Sequence, residues 1–147
     1  MKSQPESPQT FKPEIVLLVC QGALAQGADL ETAARRVTSF KALPVVLPCT
    51  SKIDISYLIK LIEQGADAIV IVGCPAGACS FLIGTDRAQK RVTRARALLE
   101  LVKMNPERIW LDRGAKLPAE QILALAEARA QAVRPLGSNP MKREKVS

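Results

Sequence analysis

Residues 68–79 read AIVIVGCPAGAC, and the first part of this stretch decides the fold. Ala68–Val72 is a continuous apolar run rich in β-branched residues, with no polar position, which is typical of a strand buried on both faces of a sheet. Gly73 ends the run, and Cys74 and Cys79 lie in the Gly-, Pro- and Ala-rich segment beyond it. The stretch therefore predicts a central parallel strand followed by a loop that carries two cysteines.

Similar short runs alternate with helix-forming segments along the rest of the chain. Strands are predicted at Ile15–Val19, Pro44–Leu47 and Arg108–Leu111, and helices at Ala28–Arg36, Ser56–Gln64, from Thr85 or Asp86 to about Met104, and from Pro118 to about Arg134. This alternation predicts an α/β fold. We expect a small, doubly wound parallel sheet of about four strands, flavodoxin- or Rossmann-like, with 2-1-3-4 as the simplest strand order.

The 147 residues, 48% of them hydrophobic, are enough for one compact domain with a core of its own. Composition places this domain at 14–137, between a flexible tail at 1–13 and a basic flexible tail at 138–147. No apolar run approaches the ~18–20 residues of a membrane span, and the polar start has no apolar core of a secretory signal. We therefore expect a cytoplasmic protein without a membrane span.

Histidine is absent from the chain. This excludes Ser-His and Cys-His nucleophile pairs, HExxH metal sites and histidine proton shuttles. The glycines form neither GxGxxG nor a P-loop, so no nucleotide fingerprint is present.

All four cysteines follow predicted strands. Cys20 follows the first strand, Cys49 the second, and Cys74 and Cys79 the third, so all four should meet at the carboxyl edge of the sheet, with no catalytic residue predicted there. Four thiolates suit zinc or an iron–sulfur cluster, and a redox dithiol needs only two of them. Structural zinc usually uses CxxC, which is missing here, whereas Cys74 and Cys79 match the C-x4-C part of the plant-type [2Fe–2S] pattern. The spacing favours a cluster over zinc.

The net charge of +7 is spread unevenly, with one basic block in a predicted helix and another in the C-terminal stretch from Arg134. The basic block in the helix comprises Arg87, Lys90, Arg91, Arg94, Arg96 and Lys103. Such a block is by default a solvated face, and otherwise a docking surface for an acidic partner. The 3% aromatic content offers few rings for stacking on bases, so no nucleic-acid partner is expected.

These motifs together resemble a known family. Cys20, Gly27–Asp29, Gly84 and Lys90–Arg91, with the segments Pro48–Asp54, Gly65–Ala68 and Val72–Cys79, look like the delta subunit family of methyl-viologen-reducing hydrogenase, over about Ile15 to Leu111. Four positions depart from the family pattern, one of them being Thr85, where the family usually has asparagine. Ala23 stands where the family usually has cysteine, and Pro75 and Ser80 stand where histidine is common.

The resemblance implies a [2Fe–2S] cluster, for which Cys20, Cys49, Cys74 and Cys79 are the candidate ligands. It implies a non-catalytic electron-transfer subunit of a hetero-oligomeric oxidoreductase complex. The implied partners are a flavin and iron–sulfur protein resembling the A subunit of heterodisulfide reductase, and a hydrogenase, formate dehydrogenase or related oxidoreductase. The alternative function is a zinc-stabilised four-cysteine binding module whose basic surface contacts nucleic acid or protein.

Overall fold

The computed structural model describes residues 12–48, 53–74 and 84–141, without the side chains of 84–86. Four strands alternate with four α-helices: β1 (Glu14–Cys20), α1 (Leu30–Arg36), β2 (Lys41–Leu47), α2 (Ile55–Glu63), β3 (Ala68–Gly73), α3 (Gly84–Leu101), β4 (Ile109–Arg113) and α4 (Ala119–Val133). The strands form one parallel sheet in the order β2-β1-β3-β4. The predicted α/β class and the predicted 2-1-3-4 order are both confirmed.

Helices cover both faces of the sheet. One apolar cluster joins Ile15, Leu17, Val70 and Val72 to α1 and α4, and the other joins Leu18, Ile69 and Ile71 to α2 and α3. Successive strand side chains point to opposite faces, so the continuous apolar runs of β1 and β3 fill both layers. The sheet is therefore doubly wound, as the alternation of elements predicts. Within the described part of the chain, no helix is long and apolar enough to span a membrane.

Strand β2 begins at Lys41, three residues before its predicted start at Pro44. Proline lacks an N–H, so it normally marks the beginning of a strand or a sheet edge. Here β2 is an edge strand, and the Lys41 N–H donates to the Pro13 carbonyl on the β1 side. Alternation then turns the position of Pro44 toward the open side of the sheet, where no ladder hydrogen bond is lost.

Local capping explains most of the shifts at helix ends. Asp29 Oδ1 accepts a hydrogen bond from Thr32 N (3.1 Å) and Asp54 Oδ1 from Tyr57 N (2.7 Å), so α1 and α2 begin after these aspartates. Helix α3 ends at Leu101 because Lys103 adopts a left-handed φ of 63° and Met104 N donates back to Leu99 O (2.8 Å). The prediction extended α3 to Met104, three residues too far.

The chain beyond α4 remains packed on the domain as far as Met141. Asn139 is fully buried, and its Nδ2 donates to the carbonyl oxygens of Ile62 and Ala66, both at 2.7 Å. The composition of 138–147 is that of a tail, and Asn139 falls within it. One buried amide does not change the composition of a segment, so composition does not indicate this contact. Asn139 and Met141 therefore pack on the domain, and residues 142–147 of the predicted tail lie outside the described part.

Candidate metal centre

Two of the four cysteines meet at the carboxyl edge of the sheet. Cys20 is the last residue of β1, and Cys74 directly follows β3, which is paired with β1 through Val19 and Val72. Their Sγ atoms are 3.4 Å apart, and both residues are buried, at 3% and 2% exposure. This separation is far beyond the ~2.05 Å of a disulfide. The fold thus presents two thiols side by side.

The spacing of the two sulfurs fits a shared metal ion. Two thiolates bound tetrahedrally at ~2.3 Å lie about 3.8 Å apart, so a few tenths of an ångström of movement suffices. Soft thiolate ligands select zinc, copper(I) and iron–sulfur clusters over hard cations. The donor set of Cys20 and Cys74 therefore suits the group that the sequence predicts.

Gly22 covers the sulfur pair from the solvent side. A Cβ built on Gly22 would lie 2.8 Å from Cys74 Sγ and 3.9 Å from Cys20 Sγ, and the first distance is too short for a real side chain. The φ of Gly22 is not in the left-handed region, so its backbone conformation does not require glycine. Glycine is required because there is no space for a Cβ beside the sulfurs. Exposed Gly22 is thus a thin cover over two buried thiols.

The sequence analysis does not predict this role of Gly22, because only a three-dimensional distance shows that it lies beside the sulfurs. The available signal is its position two residues beyond a cysteine that ends a buried strand. A backbone without Cβ at such a place lets N–H groups and ligands come close.

The end of β2 also approaches the thiol pair. The carbonyl oxygen of Pro48 lies 4.0 Å from Cys20 Sγ, and Cys49 is the next residue in the chain. Cys49 and Cys79 themselves, with Pro75 and Ser80, lie outside the described residues. Among residues 12–48, 53–74 and 84–141, no group of three or more His, Cys, Asp or Glu side chains is placed to hold a metal ion. That range contains two of the four predicted ligands.

Ala23, which replaces a family cysteine, is completely buried in the same apolar cluster as Cys20 and Cys74. Its carbonyl oxygen accepts a hydrogen bond from Leu117 N (2.7 Å), and Ala25 N donates to Leu117 O (2.8 Å). These bonds fix the connection between β1 and α1 to the segment that precedes α4. The segment that contains Gly22 is therefore fixed by backbone hydrogen bonds to Leu117.

The carboxylate of Asp29 caps the start of α1, the helix that follows Gly22 in the chain. Asp29 accepts hydrogen bonds from both the hydroxyl and the backbone N–H of Thr32, at 2.6 and 3.1 Å. These bonds stabilise the charged form, so the pKa of Asp29 lies below its ordinary value of 3.8. Asp29 is thus a charged cap of α1 at neutral pH.

The basic block on α3 is not one uniform solvated face. Arg87, Lys90 and Arg94 are exposed, whereas Arg91 and Arg96 are half-buried. Arg91 donates to the carbonyl oxygen of Ile53 (2.8 Å), and Arg96 donates to that of Pro106 (3.1 Å). The structure therefore separates exposed cations, which a partner can reach, from guanidinium groups that join elements of the domain.

Comparisons with known proteins agree with the motifs. The family described as methyl-viologen-reducing hydrogenase, delta subunit, matches residues 15–137. The chain is 31% identical over 130 residues to the iron-sulfur D subunit of the F420-non-reducing hydrogenase vhu from Methanocaldococcus jannaschii, covering 88% of this chain and 97% of that protein. It is 28% identical to the corresponding protein of Methanococcus maripaludis, covering 89% and 98%.

A second kind of relative is much longer than this chain. The A subunit of the ferredoxin:CoB-CoM heterodisulfide reductase from Methanosarcina mazei is 21% identical over 135 residues. The match covers 90% of this chain and only 17% of that protein. The hydrogenase subunits thus match this chain over nearly their whole length, and the reductase subunit matches it in one segment.

Proposed function

Since the chain belongs to the delta subunit family of methyl-viologen-reducing hydrogenase, we propose that it is an electron-transfer subunit that carries a [2Fe–2S] cluster. It relays electrons between a flavin and iron–sulfur protein resembling the A subunit of heterodisulfide reductase and an oxidoreductase. The oxidoreductase is a hydrogenase, a formate dehydrogenase or a related enzyme.

The observation that carries the proposal is the buried pair of Cys20 and Cys74 with sulfurs 3.4 Å apart under Gly22. Cys49 and Cys79 are the two further ligands in this proposal. Cys49 follows Pro48, whose carbonyl oxygen is 4.0 Å from Cys20 Sγ, and Cys79 completes the C-x4-C spacing with Cys74. Four thiolates complete the ligand set of a [2Fe–2S] cluster.

When bound, such a cluster supplies a one-electron redox couple. The protein supplies thiolates, a dry surrounding and a short distance to the surface. The apolar cluster around Cys20, Cys74 and Ala23 keeps water from the sulfurs, while exposed Gly22 separates them from solvent by backbone alone. This combination suits electron exchange with a docked protein and needs no group that acts on a substrate, in keeping with the absence of histidine from the sequence.

Two relationships support the partners in this proposal. The relatives at 28–31% identity are named hydrogenase iron-sulfur subunits, and the relative from Methanosarcina mazei is the A subunit of a heterodisulfide reductase with a similar segment. A domain that occurs as a segment of one protein and as a subunit of another is well suited to pass electrons between them. Exposed Arg87, Lys90 and Arg94 offer a positive surface for an acidic partner.

The test is anaerobic purification followed by ultraviolet–visible spectroscopy, iron and sulfide analysis, and electron paramagnetic resonance of the reduced protein. A [2Fe–2S] protein is red-brown and contains iron and sulfide in equal amounts. We expect Cys20→Ser, Cys49→Ser, Cys74→Ser and Cys79→Ser each to lose the cluster, since a hard alkoxide replaces thiolate poorly. Gln21→Ala, an exposed neighbour of Cys20, is the control and should keep it.

A colourless protein with one bound zinc would contradict the cluster and favour the four-cysteine zinc module. A serine variant with full iron content and an unchanged resonance signal would remove that cysteine from the ligand set. If the loaded protein accepts no electrons from a reduced flavoprotein of the heterodisulfide reductase type, the proposed place in the relay is wrong.

A further inference from the structure

Cys20 and Cys74 have the geometry of two thiols that can close to a disulfide. Val19 and Val72 are partners in the ladder between β1 and β3, so Cys20 is level with Gly73 and Cys74 lies one residue further along. Neighbouring strands are ~4.8 Å apart and rise ~3.3 Å per residue, so this offset places the two Cα atoms about 5.8 Å apart. Disulfides most often join Cα atoms at about 5.5–6 Å. The backbone therefore accepts a disulfide here without rearrangement.

The two sulfurs need little movement to form the bond. They are 3.4 Å apart, and a disulfide of ~2.05 Å brings them closer by about 1.3 Å. Rotation of the two side chains about their Cα–Cβ bonds supplies this movement. Both residues are buried in the same apolar cluster, at 3% and 2% exposure, so the fold keeps the two sulfurs together.

The surroundings of the pair limit the oxidant that can reach it. A Cβ on Gly22 would lie 2.8 Å from Cys74 Sγ, so the space beside this sulfur does not admit even a methyl group. An oxidant with a large organic group would have to displace the segment of Gly22 before it reacted. Hydrogen peroxide has only two heavy atoms and leaves only water behind. The oxidant that suits this pair is therefore a small peroxide.

We propose that Cys20 and Cys74, before metal is bound, form a reversible disulfide when they meet a peroxide. One thiol sulfur attacks a peroxide oxygen, the O–O bond breaks, and a sulfenic acid and one water form. The second thiol sulfur attacks the sulfenic sulfur, the S–O bond breaks, and the S–S bond forms with release of a second water. The two sulfurs lose two electrons, which reduce the peroxide, and both thiol protons end in the waters.

The disulfide protects the two predicted ligands and closes the site to metal. A sulfenic acid without a neighbouring thiol is oxidised further to sulfinic and sulfonic acids, which thiols do not reduce. A disulfide is reduced by thiols, and until then it offers no thiolate to a metal ion. The inference concerns these two thiols alone, and it holds whether the site takes up an iron–sulfur cluster or zinc.

The test uses the full chain with Cys49→Ala and Cys79→Ala, metal-free and reduced, in which Cys20 and Cys74 are the only thiols. Hydrogen peroxide is added, remaining thiols are alkylated, and the intact mass is measured. We expect a loss of two hydrogens with no added oxygen, and dithiothreitol should restore both thiols. A variant that also carries Cys74→Ala is the matched control. Its single thiol should proceed to sulfinic acid, which dithiothreitol does not reduce.

The unmodified chain provides two further measurements. After an equimolar amount of peroxide, peptide mapping should find Cys20 joined to Cys74 before any other pair of the four cysteines. Titration with Co²⁺ alone then reports metal binding, because thiolate ligands give Co²⁺ an intense charge-transfer absorption. Peroxide should abolish this absorption, and dithiothreitol should restore it.

The inference is wrong if sulfinic acid forms at Cys20 or Cys74 while both thiols are present, or if another pair closes first. It is also wrong if the share of disulfide among the products stays the same in urea, because unfolding separates the two sulfurs. Co²⁺ absorption that survives complete disulfide formation would refute the closing of the site. A chain that forms this disulfide but takes up no iron would instead refute the proposed cluster and leave the inference standing.

Discussion

The two ends of the sheet are built in opposite ways. At the carboxyl end, two buried thiols lie 3.4 Å apart under a glycine. At the amino end, Asp67, Arg108 and Asn139 are buried in a network of hydrogen bonds. Asp67 accepts from Glu14 N and from Asn139 N, both at 2.7 Å. One end keeps two predicted ligands beneath a thin cover. At the other end most buried polar groups pair with backbone, although Arg108 Nε finds no partner among the described residues.

Arg108 connects several backbone carbonyl groups at the amino end through its two Nη atoms. One Nη donates to the Asp67 carbonyl oxygen (3.0 Å), and the other reaches the carbonyl oxygens of Leu136, Gly137 and Ser138. Burial lowers the pKa of Arg108, because it penalises the charged guanidinium, and the negative charge of Asp67 opposes this effect. The network therefore connects the starts of β3 and β4 to the segment 136–139 after α4.

This difference indicates a division of labour in which the amino end stabilises the domain. Open parallel sheets bind ligands beyond the carboxyl ends of their strands. Local rules of packing are commonly violated at such sites and compensated elsewhere in the fold. Changes at the amino end should then alter folding without altering the proposed cluster, and changes at the carboxyl end should alter metal binding.

The largest effect is expected from Asp67→Ala. The substitution removes the acceptors of two backbone N–H groups, a buried one of Asn139 and a partly buried one of Glu14, and leaves the Arg108 charge without its neighbour. Breaking a buried charged network in this way costs about 3–5 kcal/mol of unfolding free energy, or roughly 6–20 °C in Tm. Urea unfolding of the metal-free chain measures it.

Glu63→Ala, an exposed carboxylate on neighbouring α2, is the matched control and should change the unfolding free energy by less than about 0.5 kcal/mol. In protein that still folds, Asp67→Ala should leave the resonance spectrum of the cluster unchanged. A variant as stable as the original, or one with a changed cluster spectrum, would break the proposed division between the two ends.

The sequence predicts the strands themselves because their evidence is local and strong, whereas the 2-1-3-4 order is predicted only as the simplest doubly wound arrangement. The apolar runs of β1 and β3 indicate central strands without any knowledge of their neighbours. The amino-end network was not predicted, because its members are far apart in the sequence and of types that usually lie on the surface. Asn139 reaches Asp67 across 72 residues, and no period or spacing marks such a contact.

The part of the candidate site that local sequence indicates could be predicted, and the part that depends on distant contacts could not. Cys20 and Cys74 each follow an apolar run, so the sequence places them at one edge, and the structure brings them together. Gly22 lies close to the two sulfurs, and Arg91 donates to the carbonyl oxygen of Ile53. Both depend on three-dimensional distances that composition and spacing do not contain.

The next largest effect is expected from Gly22→Ala, which tests the carboxyl end of the sheet. The added methyl group would lie 2.8 Å from Cys74 Sγ, so the sulfur or the cover must move. Overpacking of this kind costs about 1–3 kcal/mol in the metal-free chain, and we expect about 10-fold weaker metal binding. Iron analysis and Co²⁺ titration measure the second effect, with Gln21→Ala as the control. Full iron content with an unchanged spectrum would mean that Gly22 is not a cover of the site.

Arg129→Met tests a half-exposed part of the amino end. Its guanidinium lies 3.9 Å from the centre of the Trp110 ring and 2.8 Å from Glu107, in the turn that leads into β4. Loss of these contacts should cost about 1 kcal/mol. Arg35→Met is the control, because its ion pair with Glu31 is exposed on both sides and should contribute less than about 0.5 kcal/mol. If both variants lost the same free energy of unfolding in urea, burial would not decide how much these ion pairs stabilise the fold.

The smallest effect concerns Asp29, the exposed counterpart of Asp67. Both carboxylates accept backbone N–H groups, but Asp29 does so in solvent, from Thr32. Its pKa is lowered in the folded chain, first by the Thr32 hydroxyl and then by the Thr32 backbone N–H. The stabilisation is therefore fully present above the unfolded pKa of 3.8 and is lost as the pH falls through the lower folded pKa.

Urea unfolding of the metal-free chain and of Asp29→Asn, compared from about pH 6 down to about pH 3, tests this contribution. Asparagine keeps an acceptor for the helix cap but does not titrate, so the small advantage of the original chain should shrink below the unfolded pKa. An advantage that stays constant over this range would show that the charge of Asp29 does not stabilise α1. Because the carboxylate is exposed, added salt should reduce the same advantage at neutral pH, whereas the loss caused by Asp67→Ala should depend little on salt. Equal salt dependence at the two aspartates would contradict the contrast between a screened cap at the carboxyl end and a buried network at the amino end.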